Sequence, residues 1–238
     1  MNAKLRFISL LGVLATSLAM NLAAAETVGL PAPDKNSADA FKSQKHFSPY
    51  AGRNFATDVY WGDTHLHTGM SFDAGSFGAR LLPRDAYRFA RGEEITSSTG
   101  LQVKLSKPLD FLVVADHSDN MGWFPELFDG NPEMLANPTV KRWYEMVNEG
   151  GQTAVAAAIE IIEAFSQGTF PMETASIPGT PTYTGAWKTA IDAAEEFNDP
   201  GVFTAFIGYE WTSNAGGDNL HRVVVYRDGG QKLSLIHI

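Results

Sequence analysis

Two histidines one residue apart, His65 and His67, stand at the end of a strand-like run within Asp63-Thr64-His65-Leu66-His67. Side chains at i and i+2 share one face of a strand, so both imidazoles can reach a single metal ion. The continuation Thr68-Gly69-Met70-Ser71-Phe72-Asp73 adds a carboxylate on what reads as a loop of small residues. A second apolar run, 110–115, ends in Asp116-His117. A third, Phe206-Ile207-Gly208-Tyr209, ends in Glu210. A carboxylate closing an otherwise apolar strand is costly unless it is paired or metal-bound. His221 then opens the run 222–226 across the turn Gly216-Gly217-Asp218-Asn219.

Taken singly, each group has an ordinary explanation. The histidines can be solvated, Asp116 can cap a helix and Glu210 can sit in an ion pair. Taken together, four of the six histidines, with Asp73 and Glu210, fall where strands start or stop. The other two, His46 and His237, lie towards the ends of the chain. There is no cysteine. A metal would therefore have only nitrogen and oxygen ligands, a set that does not choose among zinc, manganese and iron.

Elements with short, aromatic or β-branched composition must carry these groups: the runs 59–63, 110–115, 202–209 and 222–226. Each is nearly continuous rather than alternating, which predicts strands buried on both faces of a parallel sheet. Helical patterns separate them. Residues 83–91 start with Pro83 at a first-turn position. Residues 139–148 and 153–166 make a helical hairpin across Gly150-Gly151, and 186–197 form a last helix. The stretch 118–200 is too long for a simple connection and reads as a helical insertion over the mouth of a barrel.

With 238 residues, 44% of them hydrophobic, the chain has material for one sizeable domain. Its formal charge is −9 and it has no basic block, so electrostatic binding of nucleic acid is disfavoured. Residues 1–25 read as a secretory signal: Lys4 and Arg6, an apolar stretch, then Ala23-Ala24-Ala25 before Glu26. The apolar stretch is too short and too interrupted for a membrane span, so no membrane anchor is expected after cleavage, and the destination is periplasmic or extracellular. Residues 26–57 read as a leader. Residues 233–238, Leu-Ser-Leu-Ile-His-Ile, read as translated sequencing-library adapter, with the native gene continuing past Lys232.

The ordered set H-x-H-T-x-x-S-x-D, an apolar strand ending in D-H, then G-x-E and a His at the next strand resembles the PHP (polymerase and histidinol phosphatase) metallohydrolases. The wording YWGDTHLHTGMSFDAG and FIGYEWTSNAGGDNLHRVVVYRD is closer still to a secreted branch, the domain-of-unknown-function 3604 family. The resemblance implies an α/β fold: a distorted (β/α)7 barrel with a helical insertion, here partial and truncated at the C-terminus, holding two or three divalent metal ions. It assigns His65 and His67 to a first metal, Glu210 to a bridge, His221 to the next imidazole place, and Asp73 and His117 to a third ion. Asp63 and Asp116 would stand behind the ligands, holding imidazoles in one tautomer. A further His and a late Asp-x-His belong to that pattern, and neither occurs before Lys232.

The expectation is a secreted metal-dependent hydrolase, a phosphoesterase, acting on a small molecule through a metal-activated water. One alternative is an amidohydrolase-type barrel, which needs a metal-bridging lysine near a strand end. Lys104 and Lys107 instead precede a strand. The other is a secreted module that keeps metal without catalysis.

Overall fold

The structure is a computed structural model and describes residues 58–213 and 220–233. The signal and leader segments, the turn 216–219 and residues 234–238 lie outside the described residues. Leu233 is described, and it packs partly buried against the main core.

The fold is mixed α/β, with a curled half-barrel sheet. Strand β1 (Gly62–Leu66) is followed by helices α1 (Phe72–Ser76) and α2 (Pro83–Ala90). A two-residue hairpin, β2 (Ile95–Thr96) and β3 (Gln102–Val103), then leads into β4 (Phe111–Val114). Helices α3 (Trp123–Phe128), α4 (Pro132–Leu135), α5 (Pro138–Glu149), α6 (Gly151–Ser166) and α7 (Pro181–Phe197) precede β5 (Thr204–Ser213) and β6 (Leu220–Val225). The main sheet has the order β1-β4-β5-β6.

Strands β1, β4 and β5 are parallel, as the apolar runs predict, with Val114 opposite Leu66 on one side and Ile207 on the other. The fourth strand corrects the expectation of an all-parallel sheet, because β6 pairs antiparallel with β5. The reason is length. Strand β5 continues to Ser213 and β6 begins at Leu220, whereas a parallel crossover needs about a dozen residues or more. Burial on both faces holds for β4 and most of β5, but β1 and β6 at the sheet edges are largely exposed. The hairpin β2–β3 is too short to show any period in the sequence.

Helix α2 begins at Pro83 as predicted, and Gly150, at φ 83°, closes α5 and opens α6. Helix α7 starts five residues earlier than its apolar spacing predicts. Thr180 caps it by accepting the Tyr183 N–H, and Pro181 occupies the first turn.

The stretch 118–200 divides between two cores. Helix α7 lies with α2 against the sheet, where Tyr87, Leu112, Val114, Trp187, Phe197 and Ile207 share one cluster. Helices α3, α5 and α6 instead surround Phe72, Trp123, Phe124, Trp143 and Phe170. Helix α1 belongs to this second core through Phe72, whose ring lies 5.0 Å from that of Phe165 and 5.5 Å from that of Phe124. Gly75 lets the helix approach so closely, since a Cβ there would meet Phe124 at 2.6 Å. The second core thereby fixes the short helix that bears Asp73.

Candidate metal centre

Strand β1 carries a register irregularity between Asp63 and Leu66. Three residues of β1 advance against two of β4, which is a bulge, and a bulge leaves an N–H unpaired while re-aiming side chains. The Asp63 carboxylate accepts the His65 N–H at 2.7 Å, supplying the partner that the ladder does not. Beyond the regular end of β4, His117 pairs with Glu210 in an isolated parallel bridge. Gly208, two residues before Glu210, has no room for a side chain, as a Cβ would meet Val113 at 2.5 Å.

These local features bring all six sequence-assigned groups together. Glu210 is 1% exposed and lies at the centre. Its Oε1 is 3.0 Å from His65 Nε2 and 3.2 Å from His221 Nδ1. Its Oε2 is 3.1 Å from His67 Nε2 and 3.3 Å from His117 Nε2. Each carboxylate oxygen thus faces two imidazoles. Asp73 approaches from α1, with Oδ1 2.9 Å from His67 Nδ1 and Oδ2 3.6 Å from His117 Nε2. Asp73 sits in the first turn of a helix rather than on a loop, which is a second correction to the sequence reading.

Three overlapping groups have ligand atoms within 4.8 Å of one another: His65, His67 and Glu210; His67, Asp73 and His117; and His117, Glu210 and His221. Such groups could hold a metal ion. Their buried atoms fit that role. Glu210 Oε1 and His67 Nε2 are enclosed, yet neither makes a hydrogen bond of proper direction despite the short separations. Lone pairs approaching side-on in this way suit a shared cation better than each other.

The groups behind the ligands differ from the expectation. Asp63 binds a backbone N–H, and the fully enclosed Asp116 accepts the Thr68 N–H at 2.5 Å and the Thr68 hydroxyl at 2.7 Å. Among the described residues, neither is hydrogen-bonded to an imidazole. The carboxylate that does hold a ring is Asp73, which accepts from His67 Nδ1 and so leaves Nε2 turned towards Glu210. Two hydroxyls complete the support, and the sequence reading gave neither a role. Ser71 Oγ donates to Asp73 at 2.6 Å and accepts the His117 N–H at 3.0 Å. Thr212 Oγ1 lies 2.7 Å from His117 Nδ1 and 3.1 Å from His221 Nδ1. Ser71 was visible as the S of the H-x-H-T-x-x-S-x-D pattern; Thr212, two residues past Glu210 on the same strand face, could have been found from strand periodicity. Lys104 and Lys107 are both exposed and precede β4, at the end away from His117.

Charge binds the cluster tightly. Burial opposes ionisation of Asp73, but hydrogen bonds from His117, His67 and Ser71 outweigh it and hold the carboxyl well below the usual range. Burial likewise disfavours a charged His117, yet Asp119 and Asp73 raise it to about 10. His67 is raised in the same way, with Asp73 overcoming burial. Asp116 is pushed up to about 6 by burial, which the Thr68 hydrogen bonds only partly offset. An arriving cation therefore competes with a proton at His117.

Residues 54–237 match the family described as "Protein of unknown function (DUF3604)". The chain belongs to the DUF3604 family. No curated protein and no solved structure matches it. The six converging groups of this DUF3604 chain all fall within the matched span. Among its described residues, no helix is long and apolar enough to cross a membrane.

Proposed function

We propose that this chain is a secreted, metal-dependent hydrolase of the PHP type whose substrate is a phosphoester. The observation that carries it is Glu210, a buried carboxylate with two imidazoles against each oxygen. The half-barrel of three parallel strands, with its polar cluster at their C-terminal ends, supports a place within a larger distorted (β/α)7 barrel, since such barrels assemble chemistry at that end. The segment 1–25 supports export.

Two or three divalent ions at such a cluster would supply hydroxide at neutral pH and hold the oxygens of the electrophile. The protein's own part is to fix the donors. Glu210 spans the set, Asp73 keeps His67 with Nε2 inward, and Thr212 holds His117 by Nδ1 so that its Nε2 faces Glu210. Hydrolysis then adds a hydroxide oxygen to phosphorus, breaks the bond to the leaving oxygen and returns a proton to it. A carboxylate bridge with imidazole flanks favours this over the amidohydrolase alternative, because no lysine is near Glu210 among the described residues.

The test is turnover of bis(4-nitrophenyl) phosphate by the full-length secreted protein loaded with zinc or manganese. Hydrolysis that a chelator abolishes and added metal restores is expected. Tight metal uptake with no turnover of any phosphoester would leave a metal-keeping module instead.

A further inference from the structure

A cleft of about 180 Å³ opens directly beside the cluster. One wall is polar and belongs to the centre: Asp73, His117, Thr212 and His221. The other is apolar: Phe72 from α1, with Ile162 and Phe165 from α6. These three side chains form the outer face of the second core, whose packing holds them in place. Ser166 stands exposed at the rim, and Asp119 supplies a carboxylate whose Oδ1 is buried without a hydrogen bond, 3.7 Å from His117 Nδ1. Among the described residues, no lysine or arginine lines the cleft.

We infer that this cleft is the subsite for the organic group of the substrate, and that the group is a single uncharged aromatic or similarly sized apolar ring. The inference rests on the metal-dependent reading above for the position of the reacting centre. Size selects the ring, because an apolar cavity of about 150 Å³ accommodates benzene. Wall chemistry selects it too: aromatic rings favour edge-on and offset contacts with a bound ring. Charge sets the remaining limit. Asp73 and Asp119 both line the cleft, no lysine or arginine does, and Asp119 pairs with His117, so a second anionic group on the ring would lie against carboxylates with no lysine or arginine to receive it. A nucleotide or sugar phosphate carrying several anionic groups fits poorly, and an aryl or benzyl ester of a single phosphate fits well.

The test uses binding, so that it stands apart from turnover. Calorimetry on the full-length zinc-loaded protein compares phenylphosphonate, methylphosphonate and 4-carboxyphenylphosphonate. Phenylphosphonate should bind about tenfold or more tightly than either of the others. Ser166→Trp, a change at an exposed rim position, should fill the cleft and erase the preference while leaving methylphosphonate unaffected. Asp119→Asn should recover binding of the carboxyphenyl compound. In parallel, 4-fluorophenol should show fluorine line broadening with the metal-free protein, lost in Ser166→Trp. Equal affinity for the phenyl and methyl compounds, or a preference that survives Ser166→Trp, overturns the ring subsite. Failure of zinc to bind, with 4-fluorophenol still broadened, overturns the metal-dependent reading alone.

Discussion

His117 and Glu210 are partners in a parallel bridge that lies beyond the last regular pairing of β4 with β5. The Glu210 N–H donates to the Asp116 carbonyl at 3.0 Å, and the Ser118 N–H donates to the Glu210 carbonyl at 2.8 Å. The two side chains consequently leave the backbone side by side, with His117 Nε2 3.3 Å from Glu210 Oε2. Backbone hydrogen bonding, rather than attraction between the side chains, fixes their separation, and a centre built on strand ends is rigid for that reason.

Thr212 reaches two imidazoles at once, so its hydroxyl should matter more than a surface threonine. Thr212→Val keeps the shape and removes the polar contact to His117 and His221. Zinc affinity should fall by about 10–100-fold, the usual effect of losing a group that orients a ligand. Thermal stability should change little, and Thr212→Ser should retain most of the affinity. Titration with a competing chelator measures both.

The metal-free protein should lose stability as the solution becomes alkaline. His117 is raised to about 10 in the folded chain against an ordinary value of 6.5. A group raised on folding contributes stability that is complete below its unfolded value and disappears as pH passes its folded value. Unfolding in chelator should therefore occur progressively more easily from pH 6.5 to pH 10, and His117→Asn should flatten that decline. Loading zinc at pH 6.5 should release protons, with His117 as one source, detectable by calorimetry in buffers of different ionisation enthalpy.

Thr68→Val should expose the cost of enclosing Asp116. The carboxylate keeps its backbone hydrogen bond but loses the hydroxyl at 2.7 Å. A loss of about 1–3 kcal/mol in urea unfolding is expected, because a buried acceptor is left short of a donor. The Asp116 carboxyl, already pushed up to about 6 by burial, should be raised further, seen by carboxyl NMR. An unchanged titration would mean that the hydroxyl does not stabilise the ionised form.

Gly75→Ala sets two effects against each other. Alanine in a helix gains about 1 kcal/mol over glycine. A Cβ at 2.6 Å from Phe124 overfills the second core, which costs about 1–3 kcal/mol. The steric cost should win, giving net destabilisation in urea unfolding together with weaker zinc binding through the displaced Asp73. A stabilised variant would show that α1 has slack.

Much of the centre was legible because its residues announce themselves by type and place. His65 and His67 at i and i+2, and Glu210 closing an apolar strand, needed only strand periodicity and the cost of a buried charge. The direction of β6 was not legible. The near-continuous apolar runs read as parallel strands, but β5 runs on past the expected end at Tyr209 to Ser213, which leaves too few residues before β6 for a parallel crossover. The roles of Asp63 and Asp116 were misplaced for a related reason. Both precede histidines in sequence, but a bulge spends Asp63 on a backbone N–H and a threonine captures Asp116. Asp73, six residues from His67, took the place expected of them because α1 folds back onto the strand ends.

Diffraction from crystals soaked in zinc, recorded on both sides of the zinc absorption edge, tests the central claim most directly. Anomalous peaks are expected about 2.0–2.2 Å from a Glu210 carboxylate oxygen and from the nearest nitrogens of His65 and His67. Zinc bound only elsewhere, with Glu210 still in contact with imidazoles alone, would contradict it.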